Sequence, residues 1–208
     1  VDEAGLKPVL SALAQMNAVI PYKSASGRTV RALLPLDQTE ALAGLPEVHA
    51  IRPADQGVTN SQLAATAVWS PDLIDVSEGS ATHEIKLAQQ LYGVTGAGQK
   101  ICVLSDGVNS LETAQASGDL PPTVDVLPGQ DGFGDEGTAM LEIVHDLAPD
   151  AELGFATAMA GTENFADNIR QLQAAGCSII VDDVSYLSES PFQEDEIAQA
   201  VIDVTNAG

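Results

Sequence analysis

Two stretches decide the fold of this chain: residues 100–107, Lys-Ile-Cys-Val-Leu-Ser-Asp-Gly, and residues 136–147, Glu-Gly-Thr-Ala-Met-Leu-Glu-Ile-Val-His-Asp-Leu. The first is a nearly continuous apolar run, typical of a parallel strand that is covered on both faces. The second repeats apolar residues at helical spacing. Further strands are predicted at 124–127, 152–156 and 178–185, and further helices at 80–91, 162–175 and 194–204. This alternation predicts an α/β domain, a parallel sheet with helices on both faces.

A different pattern precedes this domain. Residues 1–56 predict a small α+β unit, residues 57–76 a linker, and residues 77–208 the α/β domain. Within the unit we expect a helix from Leu6, a helix that Asp37 caps, and a turn at 24–27. Strands are expected at 19–22, 29–34 and 48–51.

The composition excludes several classes of function. The chain has 208 residues, with 30 acidic against 8 basic residues and a formal net charge of −22. No broad basic surface exists for nucleic acid or an anionic membrane, and no apolar run of about 18 residues could span a bilayer. Scarcity of Lys and Arg is typical of a secreted or extracytoplasmic protein. No cofactor is predicted; the charge is compatible with calcium, but the sequence specifies no metal site.

The two cysteines, Cys102 and Cys177, lie inside apolar runs. Their spacing matches no metal or redox motif, and we expect buried free thiols in preference to a disulfide.

Ligands bind at the carboxyl ends of parallel strands, so acids there are candidates for a site. Asp106 follows the first strand, and Asp182 and Asp183 lie near the end of the fourth. Taken singly, each of these acids is more typical of a helix cap or a solvated strand end. Glu136 extends an apolar helical stripe (Met140, Ile143, Val144, Leu147), which predicts that it points over the sheet end. Its alternative role is to stabilise the helix dipole, next to a capping Asp135.

These runs resemble subtilisin-like serine peptidases (subtilases). Residues 93–107 resemble the opening strand, whose triad aspartate corresponds to Asp106, or to Ser105 in an ungapped match. Residues 136–153 resemble the H-G-T-x-V-A-G block followed by A-P-x-A-x-L, with Glu136 at the general-base histidine. Residues 178–185 resemble the strand that lines the substrate cleft, which implies substrate contacts for Asp183, Ser185 and Tyr186. Residues 1–56 resemble the family's inhibitory propeptide. The resemblance therefore implies a three-layer subtilisin-like fold.

Three departures from the family pattern shape the expected chemistry. Glutamate replaces histidine at 136, as in the related sedolisins, but the aspartate that sedolisins carry four residues later is Met140 here. Asp106 is then the expected partner acid of Glu136. The family's oxyanion and G-T-S nucleophile blocks are not found, so this chain contains no nucleophile and is predicted to be inactive alone. A carboxylate base needs an acidic medium or a raised pKa.

Two functions remain open at this point. One is the N-terminal half of a serine endopeptidase that uses acyl-enzyme chemistry on peptide or protein substrates. The other is a non-catalytic pseudoprotease or peptide-binding module. In either case the partners expected are a peptide, the chain's own propeptide-like unit, and a missing C-terminal half or a second copy that covers the edge of strand 178–185.

Overall fold

The computed structural model describes residues 5–24, 28–59 and 77–208. Most of the predicted linker and of the turn at 24–27 lies outside these residues. Within them, no helix is long and apolar enough to cross a bilayer.

The N-terminal part forms a unit with its own core. Helix α1 (Leu6–Gln15) packs on an antiparallel hairpin of β1 (Val19–Lys23) and β2 (Val30–Leu33). A 3₁₀ turn (Leu36–Gln38) leads into α2 (Thr39–Ala43). The fully buried members of this core are Val9, Leu13 and Leu42.

Two details of the N-terminal prediction are wrong. Asp37 lies inside the 3₁₀ turn and does not cap α2; the residue before this helix is Gln38, which makes no side-chain cap hydrogen bond. Residues 48–51 form no strand. Val48 packs on the core, whereas Ile51 is 43% exposed. The segment therefore contacts the core at its start and not at its end.

The α/β part contains a four-stranded sheet, and all its neighbouring pairs are parallel, as predicted. Its strands are β3 (Lys100–Ser105), β4 (Asp125–Val126), β5 (Glu152–Thr157) and β6 (Ile179–Asp182), in the order β4-β5-β3-β6. β3 lies between β5 and β6, which explains why its side chains are the most continuously apolar.

Helices cover both faces of the sheet and give three layers. Alternate residues of β3 point to opposite faces. Val103 packs with α5 (Leu111–Ser117) and α6 (Glu136–Leu147), whereas Leu104 packs with α7 (Thr162–Ala174) and α8 (Glu196–Ala207). The predicted α/β class is therefore confirmed.

Two helical features differ from the prediction. The helix expected at 80–91 is divided into α3 (Glu78–Thr82) and α4 (Ile85–Tyr92), because Glu84 adopts a left-handed conformation with φ 53°. Helix α5 was not predicted, since its seven residues, Leu-Glu-Thr-Ala-Gln-Ala-Ser, contain only one large apolar side chain.

The prediction of free thiols is wrong. Cys102 of β3 and Cys177, just before β6, form a disulfide, with their Cα atoms 5.9 Å apart. The two apolar runs that suggested buried thiols become neighbouring strands, and this brings the two cysteines into bonding range.

Candidate active site

Asp106 lies where β3 ends and is held by backbone donors. Its Oδ1 accepts hydrogen bonds from the amides of Gly107 at 2.5 Å and Gly137 at 3.1 Å. Gly137 is in the first turn of α6, so Asp106 satisfies one of the helix's unpaired N–H groups. Asp135 was expected to do this. Its side chain instead accepts from the amide of Ser110 at 2.7 Å and makes no hydrogen bond to the α6 backbone.

A glycine-rich loop packs over Asp106. At Gly134, with φ +128°, an added Cβ would overlap the carboxylate of Asp106, and at Gly132 it would overlap the Asp106 carbonyl oxygen. That carbonyl also accepts from the Thr157 hydroxyl at 2.9 Å and the Phe133 amide at 3.1 Å. Close packing and four hydrogen bonds thus fix Asp106 at the joint between β3 and α6.

The face of α6 that meets the sheet agrees with the prediction only in part, since Met140 and Val144 pack on the core as predicted. Gly137 and Leu141 are buried, Val144 and Ala148 pack beside them, and Ile143 is 46% exposed. Gly137 sets this rotation, because a Cβ there would lie 2.5 Å from the ring of Phe155, so the helix approaches β5 closely. Glu136 is half-buried and borders this face at the carboxyl end of the sheet.

Asp183 joins the same end from β6. The register pairs Leu104 with Asp182, so the next positions, Ser105 and Asp183, are neighbours on the face that α6 covers. Ser105 is fully buried. Asp182 points to the other face and is exposed.

The environment of Asp183 favours its protonated form. Burial is the main cause that raises its pKa from 3.8 to about 6. Contact with Glu136 and the negative charges of Glu136 and Asp106 raise the pKa further, while the Ser105 hydroxyl lowers it. Glu136 and Asp106 therefore both act electrostatically on Asp183, as expected of acids gathered at one end of a sheet.

The carboxyl of Asp183 makes no hydrogen bond of normal geometry within the described part of the chain. Among the described atoms, neither its two carboxyl oxygens nor the Ser105 Oγ meets a partner with proper geometry, although all three are buried. Ser105 and Glu136 shift the pKa of Asp183, although neither makes a hydrogen bond of normal geometry to its carboxyl. Such a carboxyl can exchange a proton with a neighbouring carboxylate.

Ser185 and Tyr186 continue the segment beyond Asp183. Ser185 exchanges two backbone hydrogen bonds, each of 2.9 Å, with Val58 in an isolated antiparallel bridge. Tyr186 is buried; its hydroxyl donates to the Ala158 carbonyl at 2.7 Å and accepts from the Gly161 amide at 2.9 Å. A second stretch of the chain therefore pairs, through the single residue Val58, with the predicted substrate-binding residue Ser185.

Part of this arrangement has no signal in the sequence. Met159 and Gly57 flank Tyr186, and only contacts between distant segments place them there. The effect of Glu136 on the pKa of Asp183 was also not predicted, since Asp106 was the expected partner of Glu136. Within the described ranges, no cluster of three His, Cys, Asp or Glu side chains could hold a metal ion.

Comparison with known proteins gives no assignment: no model of a known family and no curated protein matches this chain.

Proposed function

We propose that this chain is the N-terminal part of a secreted subtilisin-like serine peptidase, with residues 1–56 as its propeptide. The intact protein hydrolyses peptide bonds through an acyl-enzyme, and the nucleophile comes from a segment outside this chain. Glu136 takes the base position. Asp183, and not Asp106, is the acid that shares a proton with it.

The approach of Glu136 to Asp183 carries this proposal. A general base works best with a pKa near the working pH, and ordinary carboxyl groups titrate well below neutrality. Burial beside Glu136 moves the pKa of Asp183 to about 6. A pair of carboxyls with one shared proton can accept and return a proton in mildly acidic medium, which a serine nucleophile requires.

Asp106 serves this pair as a positioning residue. Its Oδ1 already accepts two backbone hydrogen bonds, one of them from the first turn of α6. This ties the end of β3 to the helix that carries Glu136. Its negative charge also adds to the rise in the pKa of Asp183.

The segment paired with Ser185 supports a peptide substrate. The Val58–Ser185 bridge has the form of β-augmentation, in which an extended peptide pairs with an exposed strand edge. Because the pairing is antiparallel, the chain runs from Val58 to Thr59 in the direction of Asp183. A peptide bound in this way would present its carboxyl side to the acids.

The same bridge favours the alternative of a non-catalytic peptide-binding module. Backbone pairing at Ser185 needs neither acid and holds an extended segment without chemistry. The two functions therefore differ only in whether Glu136 and Asp183 act on the bound peptide.

The test is peptide hydrolysis by the complete gene product, followed with quenched fluorescent peptides between pH 4 and 8. Glu136→Gln and Asp183→Asn should each lower kcat by about a hundredfold or more. Glu152→Gln, an exposed acid at the opposite end of β5, is the matched control and should leave kcat unchanged. Binding without cleavage by the wild-type protein would favour the binding module.

A further inference from the structure

The segment 57–59 lies against the protein through the isolated bridge at Val58, and burial alternates along it. Gly57 and Thr59 are buried, whereas Val58 between them is 40% exposed. Val58 provides the backbone pairing with Ser185. One side of this extended segment therefore faces the protein, and the other faces solvent.

The side that faces the protein leaves no space for a side chain at position 57. A Cβ on Gly57 would lie 2.9 Å from Met159 Sδ, 2.9 Å from Val184 Cγ1 and 3.1 Å from Tyr186 Cζ. We call Met159, Val184 and Tyr186 the glycine wall. Separations this short require the neighbours to move.

Two members of the glycine wall cannot readily move. Val184 is 6% exposed and β-branched, which restricts its rotamers. Tyr186 is fixed by its two hydroxyl hydrogen bonds and by the Phe165 ring, with ring centroids 6.3 Å apart. Only Met159 has the flexibility to yield.

The backbone itself does not demand glycine at this position. Gly57 is absent from the residues with positive φ, so an L-residue could adopt the same conformation. A side chain at position 57 is therefore excluded only by steric overlap with the glycine wall. This exclusion would apply equally to any other peptide that pairs with Ser185 in this register.

We infer that this site selects peptides with glycine at the position that precedes the residue paired with Ser185. This inference rests on the proposed peptide-binding function and adds its substrate class. The next position, which corresponds to exposed Val58, accepts varied side chains. The antiparallel direction places the selected glycine on the amino side of the bonds presented to Glu136 and Asp183.

The first experiment releases the chain's own segment. Gly57→Val should expel residues 57–59 from the glycine wall, so hydrogen exchange at the Ser185 and Val58 amides should accelerate about tenfold or more. Val58→Ala changes the exposed face and is the matched control, with little change expected. Slow exchange at the β3 amides in both variants shows that the sheet remains folded. Unchanged protection of Ser185 in Gly57→Val would overturn the inference.

The second experiment supplies the ligand in trans. A fluorescent peptide with the sequence of residues 53–59, Pro-Ala-Asp-Gln-Gly-Val-Thr, should bind the Gly57→Val chain. Binding should increase the fluorescence anisotropy of the peptide. The same peptide with alanine in place of glycine should bind at least about tenfold more weakly. Equal binding of the two peptides, or binding of neither, would overturn the inference.

This outcome can be separated from that of the proposed function. Peptide binding requires no hydrolysis, so glycine selectivity should persist in Gly57→Val chains that also carry Asp183→Asn. Selectivity without a titrating carboxyl pair would leave the inference standing and refute the peptidase. A titrating carboxyl pair without glycine selectivity would refute the inference and leave the proposed peptidase standing.

Discussion

At the scale of single residues, the charged form of the Asp183 carboxyl lowers the stability of the folded chain. Its pKa is about 6 in the folded chain against 3.8 ordinarily, so folding favours the protonated form. This contribution to stability is fully present below about pH 3.8 and is lost as the pH rises through about 6. The wild-type chain therefore bears an uncompensated cost at pH 8.

Asp183→Asn removes that cost. At pH 8 we expect the variant to be about 1–2 kcal/mol more stable than wild type, a value reduced for partial exposure of the group. Near pH 4 the difference should vanish. Urea unfolding at the two pH values measures it, with exposed Asp150→Asn as control. A loss of stability at pH 8 would mean that the charged form is favoured after all.

Gly134 is the residue on which the placement of Asp106 depends. In Gly134→Ala the new methyl overlaps the Asp106 carboxylate, and we expect a loss of more than about 3 kcal/mol in the free energy of unfolding. Gly129→Ala is the matched control, because Gly129 also has positive φ (+72°) but open space around it. That control should lose only about 1 kcal/mol. Equal losses would show that the loop can move away from Asp106.

At the scale of elements, the disulfide links β3 to the segment just before β6. It joins residues 75 positions apart, so in the chain-entropy account it stabilises the fold by about 4 kcal/mol. Cys102→Ala with Cys177→Ala should lower the free energy of unfolding by about that amount. Reductant should destabilise the wild-type chain but not the double variant. Equal stability of the two chains would contradict this role.

Strands and helices could be predicted where burial leaves a periodic pattern. β3 and β5 are covered on both faces and read as apolar runs, and α6 was predicted with its observed bounds. Helix α5 and the break at Glu84 depend on local conformation with little apolar signal. The disulfide escaped prediction because it depends on which strands are neighbours.

The candidate site could be predicted only in part, for a similar reason. The rule that parallel strands end at one edge gathers Asp106, Glu136 and Asp183 from the sequence alone. It does not say which acid the loop around Gly134 will engage. In the structure the loop packs on Asp106, whose carboxylate accepts a hydrogen bond at the N-terminus of α6. Asp183 is then the acid on which Glu136 acts.

At the scale of the whole molecule, the N-terminal unit packs on α7. The Tyr22 hydroxyl contacts the Asp167 carboxylate and lies 3.3 Å from the Glu163 carbonyl oxygen. Arg52 pairs with the Glu163 carboxylate at 3.2 Å. Burial, then the Asp167 contact, raise the pKa of Tyr22, so its hydroxyl stays neutral as a donor. These contacts connect the N-terminal unit to α7.

Tyr22→Phe should loosen this docking by about 1–2 kcal/mol, because a hydrogen bond to a charged group is lost. Limited proteolysis and hydrogen exchange across residues 28–59 measure the loosening. Arg52→Gln is the comparison. The side chain of Arg52 is 68% exposed, so this variant should cost less than about 1 kcal/mol. Equal effects of the two variants would place the docking energy elsewhere.

The central claim is that Glu136 and Asp183 form one titrating pair. Carbon-detected NMR of the Asp183 side-chain carboxyl tests it most directly, in the wild-type chain, in Glu136→Gln and in the control Glu152→Gln. We expect a pKa of about 6 in wild type and in the control. In Glu136→Gln the pKa should fall towards 3.8 without reaching it, because burial remains. A wild-type pKa near 3.8, or a pKa that Glu136→Gln leaves unchanged, would contradict the account.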